Sequence, residues 1–207
     1  MTIQRPGKII GVGRNYVEHA AELGNAVPKQ PLIFLKPPSS VIGPDDRIVL
    51  PPQSVQVEHE CEIGVVIGKP LHRATEAEAY AAFAGITCVN DVTARDLQRS
   101  DEQWTRAKGF DTFCPVGPRV VPIDRDRLME LEVFCRVNGK ERQHGRARDM
   151  VFGPAALVAY ISQVMTLEPG DLIATGTPAG VGKLQPGDVV EVEIPEVGVL
   201  RNPVVAA

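Results

Sequence analysis

Glycine and proline set the first limit on what this chain can fold into. They recur as turn-forming runs: KPP, GPDD and LPP in the first quarter, CPVGP after residue 113, and two PGD turns near the end. Glycine supplies backbone conformations that other residues resist, while proline fixes φ and removes a hydrogen-bond donor. With 19 Gly and 18 Pro among 207 residues, the chain is expected to build short elements joined by turns. That favours a β-rich fold over a helical bundle.

The stretches between these turns read accordingly. KIIGVGRNY (8–16) predicts a short strand leaving through a glycine turn, and YVEHAAELG (16–24) a short helix closed by Gly24. PLIFLKPP and VIGPDDRIVLPP each carry a short strand. Residues 57–67 form a longer strand, and 74–85 a helix whose Thr75 and Glu78 have capping-box spacing and whose end is marked by Gly85. ITCVND (86–91) is a buried strand ending on an aspartate. Residues 92–104 read as polar helix and loop, and RAKGFDTFCPVGP as an irregular loop. A hairpin turns at Asn138-Gly139, and 149–165 contains a helix with Asp149 as its cap. Strands outnumber helices, so the expected fold is α+β: a mixed β-sheet roll or flattened barrel with a few short helices. No composition break divides the chain, so a single domain over 1–207 is expected.

A net charge of −4 and a pI near 5.6 lack the basic stripe of a nucleic-acid binder. No apolar run approaches membrane-spanning length. Cys61, Cys88, Cys114 and Cys135 are scattered, without a C-x-x-C pair, as buried thiols in a reducing compartment would be. With no signal peptide visible in MTIQRPGKIIGVG, a cytoplasmic protein is expected.

The chemistry concentrates in VEHECEIGVVIG (57–68). On a strand, side chains alternate between faces with period two. Glu58, Glu60 and Glu62 then share one face, and His59, Cys61 and Ile63 the other. Hard divalent cations take oxygen ligands, and two carboxylates at i and i+2 reach one ion. A third would come from elsewhere, and Asp91 at a strand end is the natural candidate. A solvated acidic edge is the competing explanation of the same pattern.

HECEIGVVIG, followed by VNDVTARDLQ, AKGFDTFCPVGP and DLIATGTPAGVG, with GRNYVEHAAELG before them, resembles the fumarylacetoacetate hydrolase superfamily from about residue 8 to the end. The likeness is to its compact acylpyruvase-like branch, and it implies that superfamily's C-terminal-domain fold. It places a metal on Glu60, Glu62 and Asp91, leaving Glu58 outside the set, with Mg²⁺ or Mn²⁺ as the expected ion and Ca²⁺ also compatible. Three carboxylates leave octahedral positions open for water and substrate.

The resemblance further implies a mobile lid over residues 14–30 that carries a water-activating dyad, His19 and Glu22. Lys108 is implied as the cation that neutralises charge on substrate oxygen. Arg95, Gln98 and Thr177 are implied as substrate contacts; Tyr16 and Lys36 are weaker candidates. His59 points away from the metal face and reads as a supporting residue, and His72 and His144 have no supporting context. Relatives often carry Thr-Ser-Asp-Met where this chain has Ala147-Arg148-Asp149-Met150.

The implied activity is metal-dependent hydrolysis of a C–C bond in a 2,4-dioxo acid, of acylpyruvate or fumarylpyruvate type, to pyruvate and a carboxylic acid. The same site also suits oxaloacetate decarboxylation, or isomerisation or tautomerisation of oxo-diacids. A non-catalytic divalent-ion-binding protein would explain the carboxylates but not His19, Glu22, Lys108 and Arg95 together. The expected partners are a small 2-oxo acid and a second copy in a homodimer.

Overall fold

The computed structural model describes residues 5–22, 24 and 26–207. In chain order its elements are β1 (Ile9–Gly13), α1 (Val17–Glu22), β2 (Leu32–Lys36), β3 (Val41–Ile42), β4 (Ile48–Leu50), β5 (Val57–His59), β6 (Cys61–Ile67), α2 (Glu76–Ala81), β7 (Phe83–Asn90), β8 (Thr93–Ala94), α3 (Arg95–Ser100) and α4 (Thr105–Gly109). There follow β9 (Cys114–Val121), α5 (Arg125–Leu128), β10 (Glu132–Val137), β11 (Lys140–Arg146), α6 (Pro154–Val164), β12 (Leu172–Ala174), β13 (Gly182–Lys183), β14 (Val189–Ile194) and β15 (Gly198–Ala206). The helices are short, as the density of glycine and proline requires.

Three sheets result. The largest runs β2-β1-β12-β6-β7-β9-β3, the second β11-β10-β14-β15-β4, and the third β13-β5-β8. β1 with β12, β3 with β9 and β15 with β4 are parallel pairs; the other pairs are antiparallel. This is the mixed, β-rich roll expected from the sequence.

Alternation decides what the two larger sheets bury. In EVFCRV of β10 and VVEVEI of β14, every second residue is buried. Val133, Cys135, Val192 and Ile194 pack with Cys61, Ile63 and Cys88 from the first sheet in the main core. A second core forms where Leu157, Val158 and Ile161 of α6 cover Ile10, Val65 and Ile173 on the sheet's other face. Each large aliphatic side chain so buried contributes about 1.5–3 kcal/mol.

Several boundaries differ from the sequence reading. The strand over 57–67 is broken at Glu60 into β5 and β6, which join different sheets. The helix over 74–85 ends at Ala81, and Gly85 lies inside β7; the Thr75–Glu78 capping box is present. The late helix starts at Pro154 after Gly153, while Asp149 closes a 3₁₀ turn and caps nothing, because proline suits a first helical turn. Lys108 sits on α4 rather than in an irregular loop. The Asn138-Gly139 turn is as expected, with φ of 53° and 74°. All four cysteines are buried and free.

Candidate metal centre and active site

The register of β6 against β7 assembles the carboxylates. Cys61 pairs with Asn90 and Glu62 with Val89, so the end of β7 meets the β5–β6 break. There Asn90 Oδ1 accepts from Glu60 N at 3.0 Å, and Asp91 N donates to Glu60 O at 2.8 Å. The break that ends the ladder thus seats Asp91 beside Glu60. Glu60, Glu62 and Asp91 each offer an oxygen within 4.8 Å of the others. All three are buried.

Burying carboxylates costs several kcal/mol each unless cations compensate, and three do. Lys108 Nζ lies 2.7 Å from Glu60 Oε2 and 2.5 Å from Asp91 Oδ2. Lys36 Nζ lies 2.7 Å from Asp91 Oδ1 and donates to the Lys108 carbonyl at 2.5 Å. Arg95 donates from Nε to Glu58 Oε2 at 2.7 Å, from Nη1 to Gln98 Oε1 at 2.5 Å, and from Nη2 to Glu60 Oε1. Glu58 is therefore no solvated rim residue: it is buried and paired.

The protonation pattern follows. Burial opposes ionisation of Glu60, but Lys108 and Arg95 outweigh it and hold the carboxyl below its usual range. Glu62 has no ion-pair partner among the described residues. Burial, joined by the charges of Asp91 and Glu60, pushes its carboxyl well above the usual value. Burial weakens the Lys108 ammonium, yet Asp91 and Glu60 shift it upward.

These residues fit a hard divalent cation. The donor set is oxygen only, and Glu62, without an ion-pair partner among the described residues, is short of positive charge. Glu62 Oε2 accepts from Gly176 N at 2.7 Å. Gly176 holds a φ of 100°, and a Cβ there would lie 2.6 Å from Asn15 Cβ, so only glycine serves.

A cavity of about 500 Å³ opens over the carboxylates. Glu60, Glu62, Arg95, Gln98, Lys108 and Thr177 line it, and so do His19 and Glu22 of α1. His19 is buried and its Nδ1 lies 3.1 Å from Glu22 Oε2. Gly180 N donates to Glu22 Oε1 at 3.0 Å, which ties α1 to the turn after Thr177. Asn15 anchors the start of α1 through Thr175 O at 2.7 Å and Phe152 O at 3.0 Å.

Most sequence-stated candidates thus converge on one cavity. Tyr16 does not line it: its ring belongs to the main core and its backbone bridges Met150. Arg95 and Lys108 are committed to carboxylates, a pairing that separation in sequence conceals. Lys36, a weak candidate by sequence, contacts Asp91 directly. Arg14, Arg99 and Trp104 also line the cavity; Arg14 falls within the GRNYVEHAAELG motif, while no motif reaches Arg99 or Trp104. His59 donates from Nδ1 to Gln143 Oε1 at 2.9 Å, as a supporting residue should.

Residues 8–205 match the family described as "Fumarylacetoacetate (FAA) hydrolase C-terminal". The chain belongs to this family. It is 46% identical over 215 residues to the human mitochondrial oxaloacetate tautomerase FAHD2A, with 98% of this chain and 68% of that protein covered. Among solved structures, 5-carboxymethyl-2-hydroxymuconate delta-isomerase from Mycobacterium smegmatis has a TM-score of 0.91 at 45% identity, covering 98% of this chain and 80% of that one. For 2-hydroxyhepta-2,4-diene-1,7-dioate isomerase from Mycobacterium marinum the values are 0.89 and 46%, with 98% and 75% covered. Members of the family thus include proteins named as tautomerases and isomerases. No helix among the described residues is long and apolar enough to cross a membrane.

Proposed function

We propose that this chain is a divalent-cation-dependent tautomerase or isomerase acting on a small 2-oxo diacid. One observation carries the choice of a diacid: Arg14 and Arg99 line the cavity but pair with none of Glu60, Glu62 and Asp91 among the described residues. They are cations left over for a second substrate carboxylate. The diacid names of the relatives support the same reading.

Glu60, Glu62 and Asp91 would hold Mg²⁺ or Mn²⁺, which supplies Lewis-acid polarisation of the 2-oxo carbonyl. Enol-to-keto conversion moves one proton from the enol oxygen to C3, and the reverse step returns it. The Glu22 carboxylate on Nδ1 of His19 leaves Nε2 to exchange that proton, and it stabilises the imidazolium formed in between. Lys108 spends two of its three N–H donors on Glu60 and Asp91. The third remains for substrate oxygen as negative charge develops there. The lid assigned to residues 14–30, of which 23 and 25 lie outside the described residues, would bring the dyad over the substrate.

A second reading is hydrolysis of a 2,4-dioxo acid to pyruvate and a carboxylic acid. The His19–Glu22 dyad favours it, since the same base can take a proton from water. Oxaloacetate decarboxylation needs no attacking water. The deciding experiment incubates the Mn²⁺-loaded protein with oxaloacetate and with acetylpyruvate, following enol absorbance and pyruvate release in parallel. Accelerated enol–keto conversion of oxaloacetate without pyruvate release is expected. Fast pyruvate release from acetylpyruvate would replace this reading with hydrolysis, and inertness toward both would overturn it.

A further inference from the structure

Gln143, midway along the hairpin strand β11, is buried and uses its whole amide. Oε1 accepts from Cys61 N at 3.1 Å and from His59 Nδ1 at 2.9 Å. Nε2 donates to Pro178 O at 2.7 Å and to Thr177 Oγ1 at 2.7 Å. Two backbone groups dictate this orientation. Cys61 N–H can only donate and Pro178 C=O can only accept, so a flipped amide would face both with the wrong atom.

The consequence falls on Thr177. Its Oγ1 accepts a hydrogen bond from Gln143 Nε2, and its own O–H donates to Cys61 O at 2.9 Å. A hydroxyl has one donor and two lone pairs. The donor is spent inside the protein, and one lone pair remains on a residue that lines the cavity.

We infer that Gln143 is a positioning residue that sets Thr177 as a hydrogen-bond acceptor toward the cavity, so that this wall receives an oxygen bearing a proton, such as the hydroxyl of an enol or 2-hydroxy acid, and not a carboxylate. Gln143 touches neither substrate nor the proposed metal ligands; it acts through Thr177. The inference rests on the 2-oxo acid reading of the cavity.

The test uses two non-reacting ligands of the Mn²⁺-loaded protein. Glycolate chelates through a carboxylate and a hydroxyl, whereas oxalate offers only carboxylate oxygens. Dissociation constants are measured by calorimetry between pH 5.5 and 8.5 for the native chain, Gln143→Glu and Gln143→Met, with Mn²⁺ affinity measured separately. In Gln143→Glu the ionised carboxyl can donate to neither Thr177 nor Pro178; once protonated, its one O–H can donate to Thr177.

At pH 8.5 glycolate binding should weaken at least tenfold in both variants, while oxalate and Mn²⁺ binding stay within threefold. Acidification should restore glycolate binding in Gln143→Glu but not in Gln143→Met. Equal loss of glycolate and oxalate, or no recovery with acid, would overturn the role of Gln143. If Gln143→Glu does not fold, glycolate binding within threefold of native in Gln143→Met overturns it as well. A native protein that binds neither ligand would instead overturn the 2-oxo acid reading.

Discussion

The backbone N–H of Asp91 donates to the carbonyl of Glu60 at 2.8 Å. This bond places the carboxylate that ends β7 beside the carboxylate that breaks β5 from β6. The carboxylate cluster is built on a place where strand pairing stops, and Glu60 and Asp91 depend on one another's backbone for position.

Glu60→Gln and Asp91→Asn should each lower Mn²⁺ affinity at least a hundredfold and abolish catalysed turnover. Titration of Mn²⁺ by electron paramagnetic resonance, beside the enol assay, checks both. Retained turnover after chelation of all divalent ions would contradict the assignment.

Glu60→Ala should also destabilise the fold. It leaves the Arg95 and Lys108 charges buried with one partner fewer, a loss of about 3–5 kcal/mol when a buried pair is broken. Urea denaturation of the metal-free protein measures this.

Glu62 predicts a pH dependence. Its carboxyl is raised in the fold, so the folded state holds a proton that the unfolded chain gives up at lower pH. Its contribution to stability is present below the ordinary carboxyl pKa and is lost as pH rises through the elevated folded value. The thermal midpoint of the metal-free protein should fall over that range, and less so for Glu62→Gln. A bound dication relieves the same repulsion, so added Mn²⁺ should raise the midpoint more at pH 8 than at pH 5.5.

His19→Asn should reduce kcat by about 10²–10⁴, the usual contribution of a positioned general acid–base group. Mn²⁺ affinity should hold, since His19 lies outside the carboxylate set. Glu22→Gln keeps the contact with Nδ1 but removes the charge behind it, and should give a smaller loss.

Arg14→Gln and Arg99→Gln should raise KM for a diacid such as oxaloacetate while leaving KM for a monoacid such as acetylpyruvate nearly unchanged. Equal effects on both substrates would remove the argument for a second carboxylate site.

Much of this was legible in the sequence, and particular residues show why. Turn chemistry is local, so Asn138-Gly139 announced its hairpin and Thr75–Glu78 its capped helix. Alternation is local too, and the pattern of EVFCRV and VVEVEI matches the burial of every second residue in β10 and β14. The motifs around Glu60, Glu62, Asp91, Lys108 and Thr177 carried the family; all but Asp91 line the cavity, and Asp91 lies against Lys108 beside it.

What stayed hidden was set by distance. Nothing near Lys36 in the chain shows that it meets Asp91, and no pattern marks Arg14 or Arg99 as facing the same space. Period two put Glu58 on the carboxylate face but left it without a partner; Arg95 supplies one from the start of α3, just after the strand β8 that pairs with β5. The break at Glu60 is likewise invisible locally, because it follows from β5 and β6 serving two different sheets.

By itself, then, the sequence determined the short β-rich elements and the turns between them, since each depends on neighbours a few residues away, and its motifs pointed to Glu60, Glu62 and Asp91 through the family likeness. Only the tertiary structure decided which cations neutralise which carboxylates, that Tyr16 belongs to the core, and that Gln143 commits the Thr177 proton. Burial makes every unpaired charge and donor costly, and that cost is settled by groups far apart in the chain.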